Sequence, residues 1–438
     1  MKKLLVLTLV VFMIAGGLFA QGGKEAEAAA SDGKITLTVW QDNTTPDRQA
    51  HLEKTVADYM ATHPNIDVKV TSLPNSAADK MMVAFAANQG PDIYFSSGPE
   101  VSDWVEAGYI IPLDEYVEKS FVKDRLLPQS IADVKSKDIT GQDRIWFLPL
   151  GTAFYVLWVR PDWINAVGGK SDTWDNLFDA IPKMTDKSKD QYGLAIRGGK
   201  GSVTFLERMM YSYSGIDSVF IDGKCTINDP KNVEFVDRYS KMYNVYTAEG
   251  DLNYGWTELS AAFDSGSAGV IIHNLGSGDN HVKAFNNDLT KFEAVPLPVG
   301  PYTGKITTQF QQEAGLVISK TCKHPDEAFE LGSYLATGAS VSGFCRMYGL
   351  VPVDKEVLAK DAWLKDLPWY DMASKAMLSD NIVFYNYYSW LPGKNKVYQD
   401  LVPDFQQVLV GKLSAQDFLD DWAGRFQKLY DEFYATKK

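Results

Sequence analysis

The sequence predicts an α/β fold in which mainly parallel sheets are covered by helices. Segments of strand periodicity alternate with segments of helical periodicity from Lys34 onward, and a clear amphipathic helix closes the chain. With 438 residues, 45% of them hydrophobic, the chain is long enough for more than one core at about 150 residues per domain. Two lobes are expected.

The first strand is "KITLTVW", where Ile35, Leu37 and Val39 alternate with Thr36 and Thr38. Thr45 then offers an N-cap, with Pro46 in the first helical position. Leu52, Val56, Tyr59 and Met60 recur at helical spacing until His63-Pro64 stops the run. "IDVKV" is the second strand. Ser76, with Asp79 three residues on, predicts a capped helix through Asn88 stopped at Gly90, and "PDIYF" is the third strand. "PEVSDWVEAG" reads as a short helix ending at Gly108, "IWFLPLGTAFYVLWV" as a strand-like run broken by Pro149, and "TWDNLFDAIPKM" as helix. At the end, Ser414 and Asp417 cap a helix whose apolar stripe is Phe418, Trp422, Phe426, Leu429 and Phe433.

Lys2 and Lys3 precede an apolar run from Leu4, broken by Gly16 and Gly17 and ending in Leu18-Phe19-Ala20. Residues 1–20 read as a secretory signal peptide and 21–33 as a flexible leader; an uncleaved membrane anchor is the alternative reading of the same run. Gln21 stands where a bacterial lipoprotein needs cysteine, so a free periplasmic protein is expected. Lys plus Arg number 43 against 56 Asp plus Glu, a net charge of −13 without a basic cluster, which argues against nucleic acid as a partner. Cys225, Cys322 and Cys345 contain no C-x-x-C and form no disulfide framework; a single Cys322–Cys345 bridge stays open.

Motifs for catalysis are sparse. His273 and His281 are the only near pair of histidines, without a third ligand at a familiar spacing, and read as polar loop residues; no metal or cofactor is expected. "RGGKGS", Arg197 to Ser202, lacks the order of a phosphate loop and reads as a turn rich in positive-φ positions. G-x-S-x-G does not occur. These motifs by themselves give no support for an enzyme. The segment "NIVFYNYYSWLPG" carries Phe384, Tyr385, Tyr387, Tyr388 and Trp390 without a charged side chain and ends in a Pro-Gly breaker.

In order and spacing, "ITLTVW", "NQGPDIYF", "VEAGYIIPLDEYV", "IWFLPLGTAFYVLWVRPDWINAVGG", "AAFDSGSAGVIIHN", "GLVISKTCKHPDEAFELGSYL", "GLVPV" and "VLVGKLSAQDFLDDW" make the chain resemble the extracellular solute-binding proteins of bacterial ABC importers, the sugar-binding group that includes maltose-binding protein. The resemblance implies the type II periplasmic binding protein fold: two α/β lobes joined by crossing strands, with the ligand in the cleft and hinge closure around it. Crossings are expected near Pro149 to Thr152, His273 to Asn274 and Phe310 to Glu313. Lobe 1 is then 34–149 with 273–312, and lobe 2 is 150–272 with 313–438.

The implied function is capture of a mono- or oligosaccharide by a monomeric receptor and its delivery to a membrane permease. A polyamine, phosphate ester or metal complex in the same fold, or a secreted carbohydrate-active enzyme, are the alternatives. Matched positions place Trp40, Gln41, Asp42 and Asn43 at the end of the first strand, and Ser96, Ser97 and Glu100 after the third. Thr152 and Tyr155 follow the first crossing, Asn274 follows the second, Gln312 and Glu313 lie on the third, and Tyr385, Asn386 and Trp390 belong to the late aromatic segment. Many relatives carry a tryptophan just after the second expected crossing, where this chain has Gly276 and Ser277, so a long maltose-like site is not implied.

Overall fold

The computed structural model describes residues 34–42, 45–73, 77–96, 101–137, 142–388 and 391–436. Asn43, Ser76, Ser97, Glu100, Trp390 and the expected signal and leader segments lie outside the described residues.

The strands are β1 (Ile35–Gln41), β2 (Ile66–Ser72), β3 (Ile93–Ser96), β4 (Lys135–Lys137), β5 (Asp143–Ile145), β6 (Leu148–Ala153), β7 (Tyr155–Val159), β8 (Phe220–Ile221), β9 (Lys224–Cys225), β10 (Val270–Asn274), β11 (Glu293–Pro296), β12 (Ile306–Gln309), β13 (Gln311–Ile318), β14 (Val351–Pro352) and β15 (Ile382–Tyr385). A six-stranded sheet runs β14-β6-β13-β3-β1-β2 and a three-stranded sheet β10-β7-β11, with β12 and β15 pairing beside the second. Neighbours are parallel along β2-β1-β3 and antiparallel through β13, β6 and β14. Helices flank both sheets, giving the expected two-lobed α/β architecture.

Local signals set many of the ends. The Thr45 hydroxyl accepts from Arg48 N, and the helix Pro46–Thr62 stops at His63. Ser414 accepts from Asp417 N, and Phe418, Trp422, Phe426 and Phe433 are buried along Ala415–Ala435. The helix expected to begin from Ser76 starts at Ala78 without a side-chain cap. It ends before Asn88, whose φ of 54° breaks the helix ahead of Gly90.

The chain passes from the first sheet to the second at Phe154, between β6 and β7, and returns at Phe310, between β12 and β13. Pro149 does not break the run. It lies inside β6 opposite Gly315, where β13 shifts register, and the irregularity takes up the missing N–H. His273 and Asn274 are not a crossing: β10 and the following β11 both pair with β7. Residues 273–309 therefore stay with the second sheet, and β13 and β14 with the first, in place of the expected boundaries. The third passage falls between β14 and β15. Cys322 and Cys345 form no bridge; Cys345 is buried, and its thiol donates to Leu150 O at 3.6 Å.

Among the described residues no helix is long and apolar enough to cross a membrane. Four fully buried tryptophans, Trp104, Trp158, Trp174 and Trp422, anchor the cores.

Candidate functional site

On the first-lobe side, β1 delivers Trp40, Gln41 and Asp42 to the end of the sheet nearest the crossings. Gln41 is buried, and its Nε2 donates to the Tyr348 hydroxyl at 2.8 Å. Tyr348 ends the helix Gly338–Tyr348. Its ring stacks on Phe344 at 4.2 Å and carries the Arg48 guanidinium 3.7 Å from its centroid. Asp42 accepts from the Tyr94 hydroxyl at 3.0 Å; burial raises its carboxyl above the usual range, partly offset by that bond. Trp40 is half-buried, with the Lys80 ammonium 5.7 Å from its ring.

On the second-lobe side, Tyr155 opens β7 opposite Asn274, the last residue of β10. Tyr155 is buried edge-on against Phe205 at 5.4 Å, with the Arg208 guanidinium 3.9 Å from its centroid. Beside it, Trp256 begins the helix Trp256–Asp264 and stays 38% exposed. Its ring lies 3.7 Å from that of His273, and its carbonyl meets His273 Nε2 at 3.3 Å. Burial pulls the His273 imidazole down to about 4, so it is neutral at physiological pH.

A cavity of about 450 Å³ lies where these walls face each other, lined among others by Arg48, Tyr348 and Gly349 from one lobe and Trp256, His273 and Asn274 from the other. Gly276 and Gly349 meet backbone to backbone at its edge. A Cβ on Gly349, which has a φ of +68°, would lie 2.8 Å from the Gly276 Cα. The glycine found where a tryptophan was noted in relatives thus permits close approach of the two lobes.

Other expected residues sit elsewhere. Thr152 is buried within the first sheet, paired to Gln312 and Val351. Ser96 ends β3, and Gln312 and Glu313 lie on β13 at the same end of that sheet. Tyr385 departs from the expectation of a ring at the cleft: it is buried in the second lobe, stacked on Tyr211 at 4.6 Å and bonded to Glu207 at 3.2 Å. Asn386 is exposed and closes a turn through its Oδ1 to Tyr388 N. Phe384, Tyr387 and Tyr388 also pack against protein, against Phe310, Tyr385 and Phe220 respectively.

Sequence reasoning missed Trp256. It stands three residues before Leu259 and seven before Phe263, both buried, so its spacing reads as part of the core stripe. Only the tertiary position leaves it uncovered.

The segment carrying Arg197 is held by Asp251, whose Oδ2 accepts from Ile196 N at 2.6 Å while its carbonyl accepts from Gly198 N at 3.0 Å. Gly198 and Gly199 are there for packing: a Cβ on either would meet a backbone oxygen of residues 251–253 at 2.5 Å. Burial pushes the Asp251 carboxyl from 3.8 up to about 7, against the lowering effect of the Ile196 bond. Between those values the folded chain holds a proton the unfolded chain has lost, so this group's contribution to stability falls as pH rises through that window. Asp251→Asn is expected to remove that slope. In thermal unfolding between about pH 4 and pH 8, the variant should gain on the parent as pH rises; parallel curves would refute it. His273 acts in the opposite sense on acidification, so the difference between variant and parent isolates Asp251.

Residues 42–339 match the family model described as bacterial extracellular solute-binding protein. The maltotriose-binding protein of Pyrococcus abyssi is 25% identical over 169 residues, 39% of this chain, and the match spans only 34% of that relative's length. The multiple sugar-binding protein of Streptococcus mutans is 20% identical over 340 residues, 75% of this chain and 77% of its own. The solved structure of the sugar-binding protein MalE from Xanthomonas citri has the same fold, with a TM-score of 0.75 over 91% of this chain and 98% of its own at 16% identity. With a family match over most of its length and this two-lobed fold, the chain belongs to the bacterial extracellular solute-binding proteins.

Proposed function

We propose that the protein captures a carbohydrate between its lobes and delivers it to an ABC importer, performing no chemistry on it. The observation that carries this is the exposed Trp256 ring on the wall of a cavity shared by both lobes. An indole face matches the apolar C–H face of a sugar ring. Two buried amide oxygens, Gln41 Oε1 and Asn274 Oδ1, have no partner among the described residues; both are acceptors, and a polyol supplies hydroxyl donors. The relatives named for maltotriose and multiple sugars support the same ligand class. Hinge closure on the sugar produces the shape a permease reads. Export through a cleaved signal segment, without a lipid anchor, and action as a periplasmic monomer complete the proposal.

The test is a thermal-shift and calorimetric screen of refolded protein against mono- and oligosaccharides, with analysis of the recovered sugar. Ligand at 100 times its dissociation constant stabilises by about 2.7 kcal/mol. A sugar that raises the midpoint and is recovered unchanged supports the reading; hydrolysis of it, or stabilisation by polyamines alone, overturns it. Trp256→Ala is expected to weaken sugar binding about 10- to 100-fold with little change in the ligand-free midpoint. Unaltered affinity in that variant would remove the ring from the site.

A further inference from the structure

The second-lobe wall beside Trp256 is a ladder of rings and guanidinium groups. Arg208 lies over Tyr155, Tyr155 packs on Phe205, and Arg197 lies 4.4 Å from the Phe205 centroid and 5.5 Å from that of Trp256. Arg125, Arg144, Arg160, Arg238, Arg346 and Arg425 each hold a carboxylate. Arg197 holds none among the described residues. Its Nε donates to Lys200 O at 2.8 Å, and its terminal nitrogens make no hydrogen bond to a described residue. Glu258, the acidic side chain whose charge reaches it, is turned to Gly255 N at 3.1 Å.

The surroundings add positive potential. A Cβ on Gly201 would lie 2.3 Å from an Arg197 terminal nitrogen, so the guanidinium sits against the N-terminal end of the helix Ser202–Ser214, for which Gly201 is the cap. That end carries partial positive charge from the helix dipole. The Ser202 hydroxyl, buried in the first turn, has no partner among the described residues. Burial, with the nearby Arg208 charge adding to it, lowers the Arg197 guanidinium to about 10. A cation set against a helix N-terminus, beside a second arginine and without a carboxylate, is relieved when an anion arrives.

Resting on the carbohydrate reading, we propose that the ligand is an acidic saccharide: a uronate-bearing sugar whose carboxylate is received by Arg197 while its ring lies by Trp256. The planar guanidinium fork matches a carboxylate in two-point contact. A phosphate ester carries more charge into a protein whose net charge is already −13. The glycine-rich turn, which lacks the order of a phosphate loop, thus serves to bring Arg197 to the wall.

The test compares matched pairs by calorimetry on refolded protein: glucuronate against glucose, galacturonate against galactose, their oligomers of equal linkage, and glucose 6-phosphate. The uronate members are expected to bind at least about tenfold more tightly than the neutral ones, with affinity falling as salt rises. Arg197→Gln is expected to abolish that preference, so that within the variant the uronate and its neutral partner bind alike. Should that variant fail to fold, the methyl esters of the uronates replace it, and the parent protein should bind them no better than neutral sugars. Neutral sugars binding as tightly as uronates, or esters binding as tightly as acids, would overturn the acidic-ligand proposal and leave the carbohydrate reading standing. Binding of the phosphate alone would overturn it in favour of a phosphate site. No response to any saccharide would overturn both.

Discussion

Glu207→Ala is expected to destabilise the protein by about 3–5 kcal/mol, the cost of leaving a buried partner charge uncompensated. Glu207 is 1% exposed. It accepts from the Tyr385 hydroxyl at 3.2 Å and the Tyr398 hydroxyl at 2.5 Å, and it lies 3.9 Å from the Lys394 ammonium. Lys394 also donates to the Tyr387 carbonyl and is 4% exposed; burial, opposed by Glu207, brings its amine down to about 8. Without the carboxylate, two buried phenols and a buried amine lose a shared partner at once. Glu207→Gln keeps an acceptor for the phenols and should lose less than half as much. Denaturant unfolding of both variants checks this: equal midpoints for parent and alanine variant would show that the cluster rehydrates freely. The aromatic segment is therefore held from below by one acidic side chain, which explains how it tolerates so many rings without a charge of its own.

Asp354→Ala is expected to cost about 3 kcal/mol, in the other lobe. Asp354 is fully buried and accepts from five donors. Arg125 reaches it through Nε at 3.1 Å and a terminal nitrogen at 2.6 Å, and Gly338 N lies at 2.9 Å. Glu356 N and Val357 N, at 2.8 and 3.4 Å, belong to the helix it caps. One carboxylate thus ties together the helix Val122–Arg125, the start of the helix Gly338–Tyr348 and the start of Lys355–Lys360. Arg125 keeps some access to water, which holds the loss toward the lower end of the range. Asp354→Asn should fall between parent and alanine, because an amide offers one acceptor where the carboxylate offers two. Amide exchange at Gly338, Glu356 and Val357 should accelerate in the alanine variant; unchanged exchange would mean that other acceptors take over.

What the sequence disclosed and what it hid divide along the range of the interaction. Thr45 and Ser414 cap their helices through residues three positions away, so local spacing suffices to read them. The lobe assignment of β11 does not work that way. Nothing in the sequence marks β7, rather than a strand of the first sheet, as its partner, and partner choice rests on contacts more than a hundred residues apart. The aromatic run shows a second limit. Composition identified a segment rich in rings, yet whether Tyr385 meets ligand or core depended on the distant Glu207 and Tyr211. Trp256 is the converse, a residue at core spacing left open by its neighbours. Gln41 and Asn274 are expected at the cleft through the family resemblance, and the structure places them at the ends of β1 and β10, on opposite lobes.

β13 lies between β3 and β6, in the interior of the first sheet. Both of those strands are made early, and β13 comes only at Gln311–Ile318, after most of the second lobe. A chain emerging from its N-terminus therefore carries three unpaired strand edges, one on β3 and both on β6, through the whole interval between Ala153 and Gln311. Open edges invite pairing with other chains, and late long-range pairing folds slowly. The strand order consequently favours keeping the chain unfolded until synthesis is complete, and a fragment ending before Ile318 should aggregate rather than yield a working half.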